Sequence, residues 1–185
     1  MENRIKDVKN YSDFRKVFEV FRDKPFYENW IDDEMLKEYE FLKQYGEIYG
    51  YYIDDSKIVG LVSIIYGSIK EHPVKFLNPE KTIYLSDIAV VSNERGKGYA
   101  KKLADFIIEY AELFDYYDEM YLRTNLTGSM SEKIFLARGF EIMKDENNKI
   151  ITQDVSFERT NGLIEKDTRK FLSKKLVLKW NNMKF

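Results

Sequence analysis

The chain has 185 residues, of which 44% are hydrophobic and 16% aromatic, so it can bury a sizeable core and fits one domain better than two. Its 30 basic and 32 acidic side chains leave a net charge of -2, which argues against nucleic acid as a main partner, because phosphate backbones attract basic surfaces. Cysteine is absent, which excludes disulfides, thiolate metal sites and a cysteine nucleophile.

The first part of the chain predicts a strand, two helices and a β-hairpin. A short strand over residues 5–10 precedes apolar residues at helical spacing over Tyr11–Phe21, which predict a first helix. After an interruption, the helical pattern resumes over Ile31–Tyr45. Two segments rich in β-branched and aromatic residues, Ile48–Asp54 and Lys57–Gly67, predict a hairpin.

The middle of the chain predicts a βαβ unit preceded by a long loop. Residues Ser68–Thr82 are polar and contain the only histidine, so we expect a loop there. A strand over Lys81–Val91, an amphipathic helix over Gly98–Phe114 and a strand over Glu119–Asn125 follow. The two strands of such a unit should be parallel, with a right-handed crossover.

The last part of the chain predicts a short helix, two strands and a highly charged tail. The helix is expected over Ser129–Arg138 and ends at Gly139. Beyond it, the predicted elements are strands over 140–144 and 150–157, a helical segment near Asp167–Lys175 and a strand over Leu176–Trp180.

The most informative stretch is Asn93–Ala100, which reads NERGKGYA and lies where a strand gives way to a helix. Glycines let the backbone approach a ligand closely, and the free N–H groups at a helix start attract anions. The pattern lacks the GxxxxGK[ST] of a phosphate-binding loop, and a GxGxxG fingerprint would need glycine at Lys101. We therefore expect a diphosphate site at this turn, the alternative being a glycine-bearing turn that merely starts a helix.

At this turn the chain resembles the GNAT acetyltransferases, whose coenzyme motif [QR]xxGx[GA] is matched by Arg95, Gly98 and Ala100. The order of elements resembles that family over residues 5–157. The resemblance implies an α/β fold (an α+β mixed sheet) with a splayed central mixed β-sheet flanked by helices, in a single domain comprising the whole chain. A C-terminal extension of unknown role, residues 158–185, lies outside the likeness.

The resemblance implies that acetyl-coenzyme A binds along the central strand and the turn. Main-chain groups of the strand would pair with the pantetheine arm, and amides of the turn would hold the pyrophosphate. A bulge would splay the central strand from the next one and open the cleft where thioester and amine meet. The residues implied in coenzyme binding are Ile88, Ala89, Val90, Arg95, Gly96, Lys97, Gly98, Tyr99, Ala100, Ser131 and Phe135.

A later pattern of the same family, N-x-x-[AS]-x-x-x-Y-x-x-x-G-F, is matched only in part. Ser131 stands at the small position, and Gly139 and Phe140 end the pattern. However, Gly128 replaces the asparagine, and Phe135 replaces the tyrosine that can protonate the departing thiolate. Because phenylalanine cannot donate a proton, water or another tyrosine would have to serve.

Two residues are candidates for proton transfer. Asp87 is the candidate general base, because its carboxylate precedes the expected bulge and apolar neighbours could raise its pKa. Its alternative role is to order the splayed strand. Tyr121 is an alternative proton donor. Glu94 fits better as an acidic group that stabilises the helix start, and His72 is expected to be a solvated surface residue.

The predicted function is that of an N-acetyltransferase, transferring acetyl from acetyl-coenzyme A directly to a primary amine of a small molecule or peptide, since no cysteine can carry the acyl group. The alternatives are a noncatalytic acyl-coenzyme A sensor and a purely structural interaction domain. The longest apolar run, Ile58–Gly67, is far short of the roughly 20 residues of a membrane-spanning helix. We expect a cytoplasmic protein with no metal, membrane or nucleic-acid partner. The sequence leaves open whether the protein forms a homodimer.

Overall fold

The computed structural model describes residues 4–23 and 29–177, which form a mixed β-sheet with helices on both faces. The helices are α1 (Tyr11–Phe18), α2 (Asp32–Tyr45), α3 (Tyr99–Ala111) and α4 (Met130–Leu136). The strands are β1 (Ile5–Asp7), β2 (Gly46–Tyr52), β3 (Ile58–Tyr66), β4 (Thr82–Val90), β5 (Glu119–Asn125), β6 (Glu141–Ile142), β7 (Thr152–Glu158) and β8 (Ile164–Lys175).

The sheet has the order β1-β2-β3-β4-β5-β8-β6, and β7 also pairs with β8. Strands β4 and β5 are parallel and are joined by α3, while the other strand pairs are antiparallel. The predicted βαβ unit and the predicted mixed sheet flanked by helices are confirmed. The parallel pair lies in the middle of the sheet, so the turn before α3 begins at the end of a central strand.

Each face of the sheet carries its own apolar cluster. On one face, which we call the α3 face, Leu103 and Ile107 of α3 pack with Phe135 of α4 against the sheet. On the opposite face, which we call the α2 face, Phe14 of α1 and Met35 of α2 are fully buried against it. The sheet is therefore covered on both sides, and its two faces meet different chemical surroundings.

The predicted helix near Asp167–Lys175 is wrong, because these residues belong to β8. This strand lies between β5 on one side and the β6 and β7 segments on the other. Phe171 and Leu172 are fully buried on opposite faces of the sheet, which is the alternation expected of a strand and not of a helix face.

The ion-pair partners of two β8 residues lie far away along the chain, so the charged sequence of this segment did not indicate a strand. Lys170 forms a buried ion pair with Glu132 of α4 at 2.8 Å, which compensates its charge inside the fold. Lys175 likewise pairs with Glu119 at the start of β5. Most of the predicted strand Leu176–Trp180 lies outside the described residues.

Candidate active site

A split between β4 and β5 opens the centre of the sheet. Their parallel pairing runs from Thr82 opposite Glu119 to Leu85 opposite Leu122, and no further pair joins them among the described residues. The register between β3 and β4 shifts at the same point, so that Ser86 is an extra residue in β4. A bulge of this kind bends a strand and ends its pairing. The predicted splayed strand is therefore present, with the bulge at its root.

Beyond the bulge, β4 turns alternate main-chain groups toward the split. The N–H of Val91 donates to the carbonyl oxygen of Val59 on β3 at 3.0 Å. Because an antiparallel ladder alternates, Ala89 also faces β3, whereas Ile88 and Val90 direct their main-chain groups to the side where β5 has moved away. The carbonyl oxygen of Val90 accepts a hydrogen bond from Nε of Arg95 at 3.2 Å. The N–H groups of Ile88 and Val90 remain on the open edge.

The turn after β4 brings two left-handed glycines to the start of α3. Gly96 has φ 81° and Gly98 has φ 84°, values that favour glycine because other residues strain there. A Cβ built at either position meets no atom within 4 Å, so the space over this turn is open. The turn, the positive end of the α3 dipole and the free N–H groups of its first residues together form a surface suited to an anion.

The other residues at the turn mostly contact one another. Lys97 pairs with Glu94 at 2.7 Å, so Glu94 neutralises a neighbouring cation. Tyr99 packs against Tyr51 with ring centroids 4.7 Å apart, and the ammonium of Lys102 lies 5.9 Å from the Tyr99 ring centroid. Ala100 follows in the first turn of α3. The aromatic pair forms a wall on the α3 face beside the split.

The two α4 residues implied in coenzyme binding differ in their surroundings. The hydroxyl of Ser131 lies 2.7 Å from that of Ser129, which caps α4. Phe135 is fully buried, and its ring lies 5.1 Å from that of Phe140. It packs in the cluster on the α3 face, so its hydrophobic contacts explain why phenylalanine is tolerated there. Their contribution to coenzyme binding stays a prediction.

Asp87 is buried on the α2 face at the root of the split. Its carboxylate accepts a hydrogen bond from the hydroxyl of Ser63 at 2.8 Å. Burial raises the pKa of Asp87, while hydrogen bonds from Ser63 and Ser86 and the charge of Arg123 act in the opposite direction. A carboxylate with this balance can exchange a proton with an acceptor amine more readily than an exposed one.

Glu38 of α2 faces the same region and was not a predicted site residue. Burial and, after it, the charge of Asp87 raise the pKa of Glu38 to about 7. Within the part of the chain that the structure describes, its carboxylate forms no hydrogen bond or ion pair. Glu38 lies three residues after Met35 and four before Leu42, both fully buried. A charged residue on the apolar side of a helix was the sequence signal that could have identified it.

Tyr121 lies on the α2 face of β5 and holds the loop that follows β3. Its hydroxyl oxygen accepts the N–H of Ile69 at 2.8 Å and lies 3.3 Å from Nδ1 of His72. The side chain is fully buried, and burial raises its pKa. These contacts favour an anchoring role for Tyr121, and its part in proton transfer stays a prediction.

His72 is not the solvated surface residue expected from the sequence. Its ring contacts those of Tyr84, Tyr121 and Phe171, at centroid distances of 4.8, 5.9 and 5.1 Å. Burial, followed by the charge of Arg123, lowers the pKa of His72 to about 4, so the ring is neutral near pH 7. The loop therefore packs over the α2 face of β4 and β5, which its polar sequence did not indicate.

In residues 4–23 and 29–177, no group of three or more His, Cys, Asp or Glu side chains is placed to hold a metal ion. None of the helices described is both long and apolar enough to cross a membrane.

The comparisons with known proteins agree with this architecture. The family model described as the acetyltransferase (GNAT) family matches residues 11–140. Solved structures with the same fold include an N-acetyltransferase from Staphylococcus aureus Mu50 (17% identity, 94% of this chain and 98% of that chain, TM-score 0.67). A ribosomal-protein-alanine N-acetyltransferase from Brucella melitensis is similar to the same degree (16%, 93% and 99%, TM-score 0.67).

A third solved structure is a phosphinothricin acetyltransferase from Sinorhizobium meliloti in complex with AcCoA (15% identity, 93% of this chain and 87% of that chain, TM-score 0.66). At such identities these likenesses show the fold alone. No curated protein matches the chain. Because the family model covers well over half of the sequence, this chain belongs to the GNAT acetyltransferase family and is an acyltransferase.

Proposed function

We propose that the protein is an N-acetyltransferase that moves an acetyl group from acetyl-coenzyme A to a primary amine of a small molecule or peptide. The observation that carries the proposal is the split at Leu85 and Leu122, which sets a buried carboxylate beside an open strand edge. Asp87 lies at its root, and the N–H groups of Ile88 and Val90 lie along its side.

The described residues fit the coenzyme in two places. The open turn from Arg95 to Ala100 suits the pyrophosphate, because a Cβ at Gly96 or Gly98 would meet nothing within 4 Å. The unpaired edge at Ile88 and Val90 suits the amide-containing pantetheine arm, since strand edges bind extended chains through main-chain hydrogen bonds. When bound, acetyl-coenzyme A supplies a thioester whose carbonyl carbon accepts the amine and whose thiolate leaves.

The protein's own part in the reaction is to remove a proton and to stabilise negative charge. An amine attacks only in its neutral form, and the carboxylates of Asp87 and Glu38, whose charges interact, can accept the proton directly or through water. An N–H of Ile88 or Val90 can donate to the carbonyl oxygen as charge develops there. Direct transfer is proposed because the sequence has no cysteine to carry the acyl group.

The comparisons give no support to the sensor alternative, and the structural alternative conflicts with the family match. A cytoplasmic location, a homodimer and the exclusion of nucleic acid and membranes stay predictions. The near balance of charge favours the exclusion of nucleic acid, the lack of cysteine is compatible with the cytoplasm, and the longest apolar run is too short to span a membrane as a helix.

The test is release of free thiol from acetyl-coenzyme A in the presence of a panel of primary amines. We expect amine-dependent release by the wild type and a loss on the order of 10²-fold in Asp87→Asn, because the amide cannot accept the proton. Asp55→Asn is the matched control, since Asp55 is exposed in the β2–β3 turn and pairs with Lys6. Thiol release that needs no amine, or that is equal in all three proteins, would contradict the proposal.

A further inference from the structure

Arg123 and Asp87 flank the root of the split at the same level. The bulge at Ser86 places Asp87 one ladder step beyond Leu85, and Arg123 is one step beyond Leu122, the last residue of β5 that pairs with β4. Both side chains lie on the α2 face. Asp87 accepts a hydrogen bond from Ser63 on β3, and Arg123 lies two residues after Tyr121 on β5 and therefore on the same face. Opposite charges therefore stand on the two diverging strands where they separate.

Arg123 is a half-buried cation without a carboxylate partner. Its Nη1 donates to Oε1 of Gln153 at 2.8 Å, and within the described residues it forms no ion pair. Arg138, Arg169 and Lys170 are also shielded from solvent, and each pairs with a carboxylate at 2.7 to 2.9 Å. A charge taken partly out of water with no carboxylate in direct contact is costly, so a site of this kind favours an anion.

The surroundings hold Arg123 in place and keep most of its donors available. Gln153, which accepts its hydrogen bond, donates in turn to the carbonyl oxygen of Glu71 at 3.0 Å, and so links Arg123 to the loop over the α2 face. The charge of Arg123 acts on Asp87, His72 and Tyr121, which places the guanidinium among these side chains. A guanidinium has five N–H donors in a fork that matches a carboxylate.

The separation of the two charges limits the acceptor. Paired strands lie about 4.8 Å apart, and β4 and β5 begin to diverge from that spacing at Asp87 and Arg123. A molecule that bridges them needs its cationic and anionic ends only a few bonds apart. A peptide N-terminus meets this requirement poorly, because its free carboxylate is usually distant.

We propose that the acceptor is a small amino-acid-type molecule, in which a carboxylate lies close to the primary amine and is bound by Arg123 while the amine lies at Asp87 and Glu38. This inference rests on the proposed function and narrows its substrate class. Arg123 then acts as a specificity residue, and its loss raises the KM for the acceptor more than it lowers kcat.

The experiment compares free L-amino acids with their own carboxamides as acceptors, by thiol release at saturating acetyl-coenzyme A. We expect the carboxylate form to exceed the carboxamide by tenfold or more in kcat/KM for the wild type, the range expected of a charge-assisted hydrogen bond. In Arg123→Gln the ratio should fall to within about threefold, mainly through KM. Arg123→Lys should be intermediate, since a point charge replaces the fork.

Arg159→Gln is the matched control, because Arg159 pairs with Glu165 at the β7–β8 turn, and it should keep the wild-type ratio. Carboxamides accepted as well as amino acids, or a preference that persists in Arg123→Gln, would overturn the inference while leaving the acetyltransferase proposal intact. If no acceptor causes release of thiol, the proposed function fails. Thermal melts with the same compounds then test the carboxylate site separately. Stabilisation of the wild type but not of Arg123→Gln by the amino acids supports the carboxylate site, and no stabilisation overturns it.

Discussion

The chemistry of Asp87 depends on three neighbours that come from different parts of the chain. Ser63 on β3 donates a hydrogen bond to its carboxylate, Glu38 on α2 adds a second negative group, and Arg123 on β5 supplies a compensating charge. Two carboxylates that interact in a buried place titrate as a pair, and one of them holds its proton to a higher pH. The pair can therefore change its protonation near neutral pH, where an amine must lose its proton.

The pH dependence of the reaction should follow the ionisation of Glu38. With Glu38 titrating near pH 7, the activity should rise from pH 5 to pH 8 with a midpoint near 7, because the proton acceptor is available only above that pH. In Glu38→Gln this step should disappear, because the amide that replaces the carboxylate does not titrate. The measurement is the pH profile of kcat, and a step that is unchanged in Glu38→Gln would show that another group controls it.

Stability should respond to Glu38 as well. Its pKa in the folded chain, about 7, exceeds the ordinary value of 4.5, so the folded state favours the protonated form and loses stability as pH rises through 7. Glu38→Gln should therefore be more stable than the wild type by roughly 1–3 kcal/mol at pH 8 and show little advantage at pH 4. Urea unfolding at both pH values measures this difference, and an advantage that does not depend on pH would contradict the assignment.

The turn before α3 combines left-handed backbone conformations with an open surface. Gly98 and Gly139 both have φ above 80° and both have free space where a Cβ would lie, but only Gly98 begins α3 beside the split. Substitution should strain the two positions alike, at about 1 kcal/mol each. The difference between them therefore reports on the ligand and not on folding.

Gly98→Asp should lower the affinity for acetyl-coenzyme A by tenfold or more, because it places bulk and negative charge where the pyrophosphate is expected. Gly139→Asp, which carries the same charge and similar strain, should bind as the wild type does. Calorimetric titration of the three proteins measures this. Equal losses in both variants, or no loss in either, would mean that the coenzyme lies elsewhere.

Strand β8 joins the end of the chain to the middle of the sheet. Phe171 is fully buried on the α2 face, whereas Leu163 in the β7–β8 turn is 60% exposed. Phe171→Ala should lower the free energy of unfolding by about 3–5 kcal/mol, and Leu163→Ala should change it by less than about 0.5 kcal/mol. Urea unfolding tests both, and equal stabilities would exclude β8 from the core.

Elements with a local periodicity could be predicted from the sequence, and β8 could not. The apolar residues of α3 recur at helical spacing, and the hairpin of β2 and β3 is rich in β-branched residues, so each pattern lies within a single segment. In the sequence, Lys170 has the character of a solvated residue, because its buried partner Glu132 lies far away along the chain. Long-range ion pairs of this kind leave no mark in a sequence window.

The same distinction holds for the candidate site of the whole molecule. The turn at Gly98 and the position of Asp87 follow from one motif and one strand, so both could be predicted. Glu38 and Arg123 join them only when α2 packs on the sheet and β5 diverges from β4. The prediction that His72 is a solvated surface residue was wrong for a related reason, because the loop that carries it folds back over Tyr121.

In the molecule as a whole, the sheet separates two faces with different side chains, and these faces meet at the split between β4 and β5. The α3 face carries the turn at Gly98 and the aromatic wall of Tyr51 and Tyr99, and the α2 face carries the charged groups around Asp87. Coenzyme and acceptor can therefore approach from opposite sides, with the open edge of β4 between them.

A crystal structure with bound coenzyme A would show whether the two substrates meet at the split from opposite faces of the sheet. We predict that the pyrophosphate contacts the backbone from Arg95 to Ala100 and that the pantetheine arm runs along Ile88 and Val90, with its sulfur pointing toward Asp87. The pairing between β4 and β5 should still end at Leu85 and Leu122. A coenzyme bound away from the split, or a split closed by continued pairing of the two strands, would contradict this arrangement.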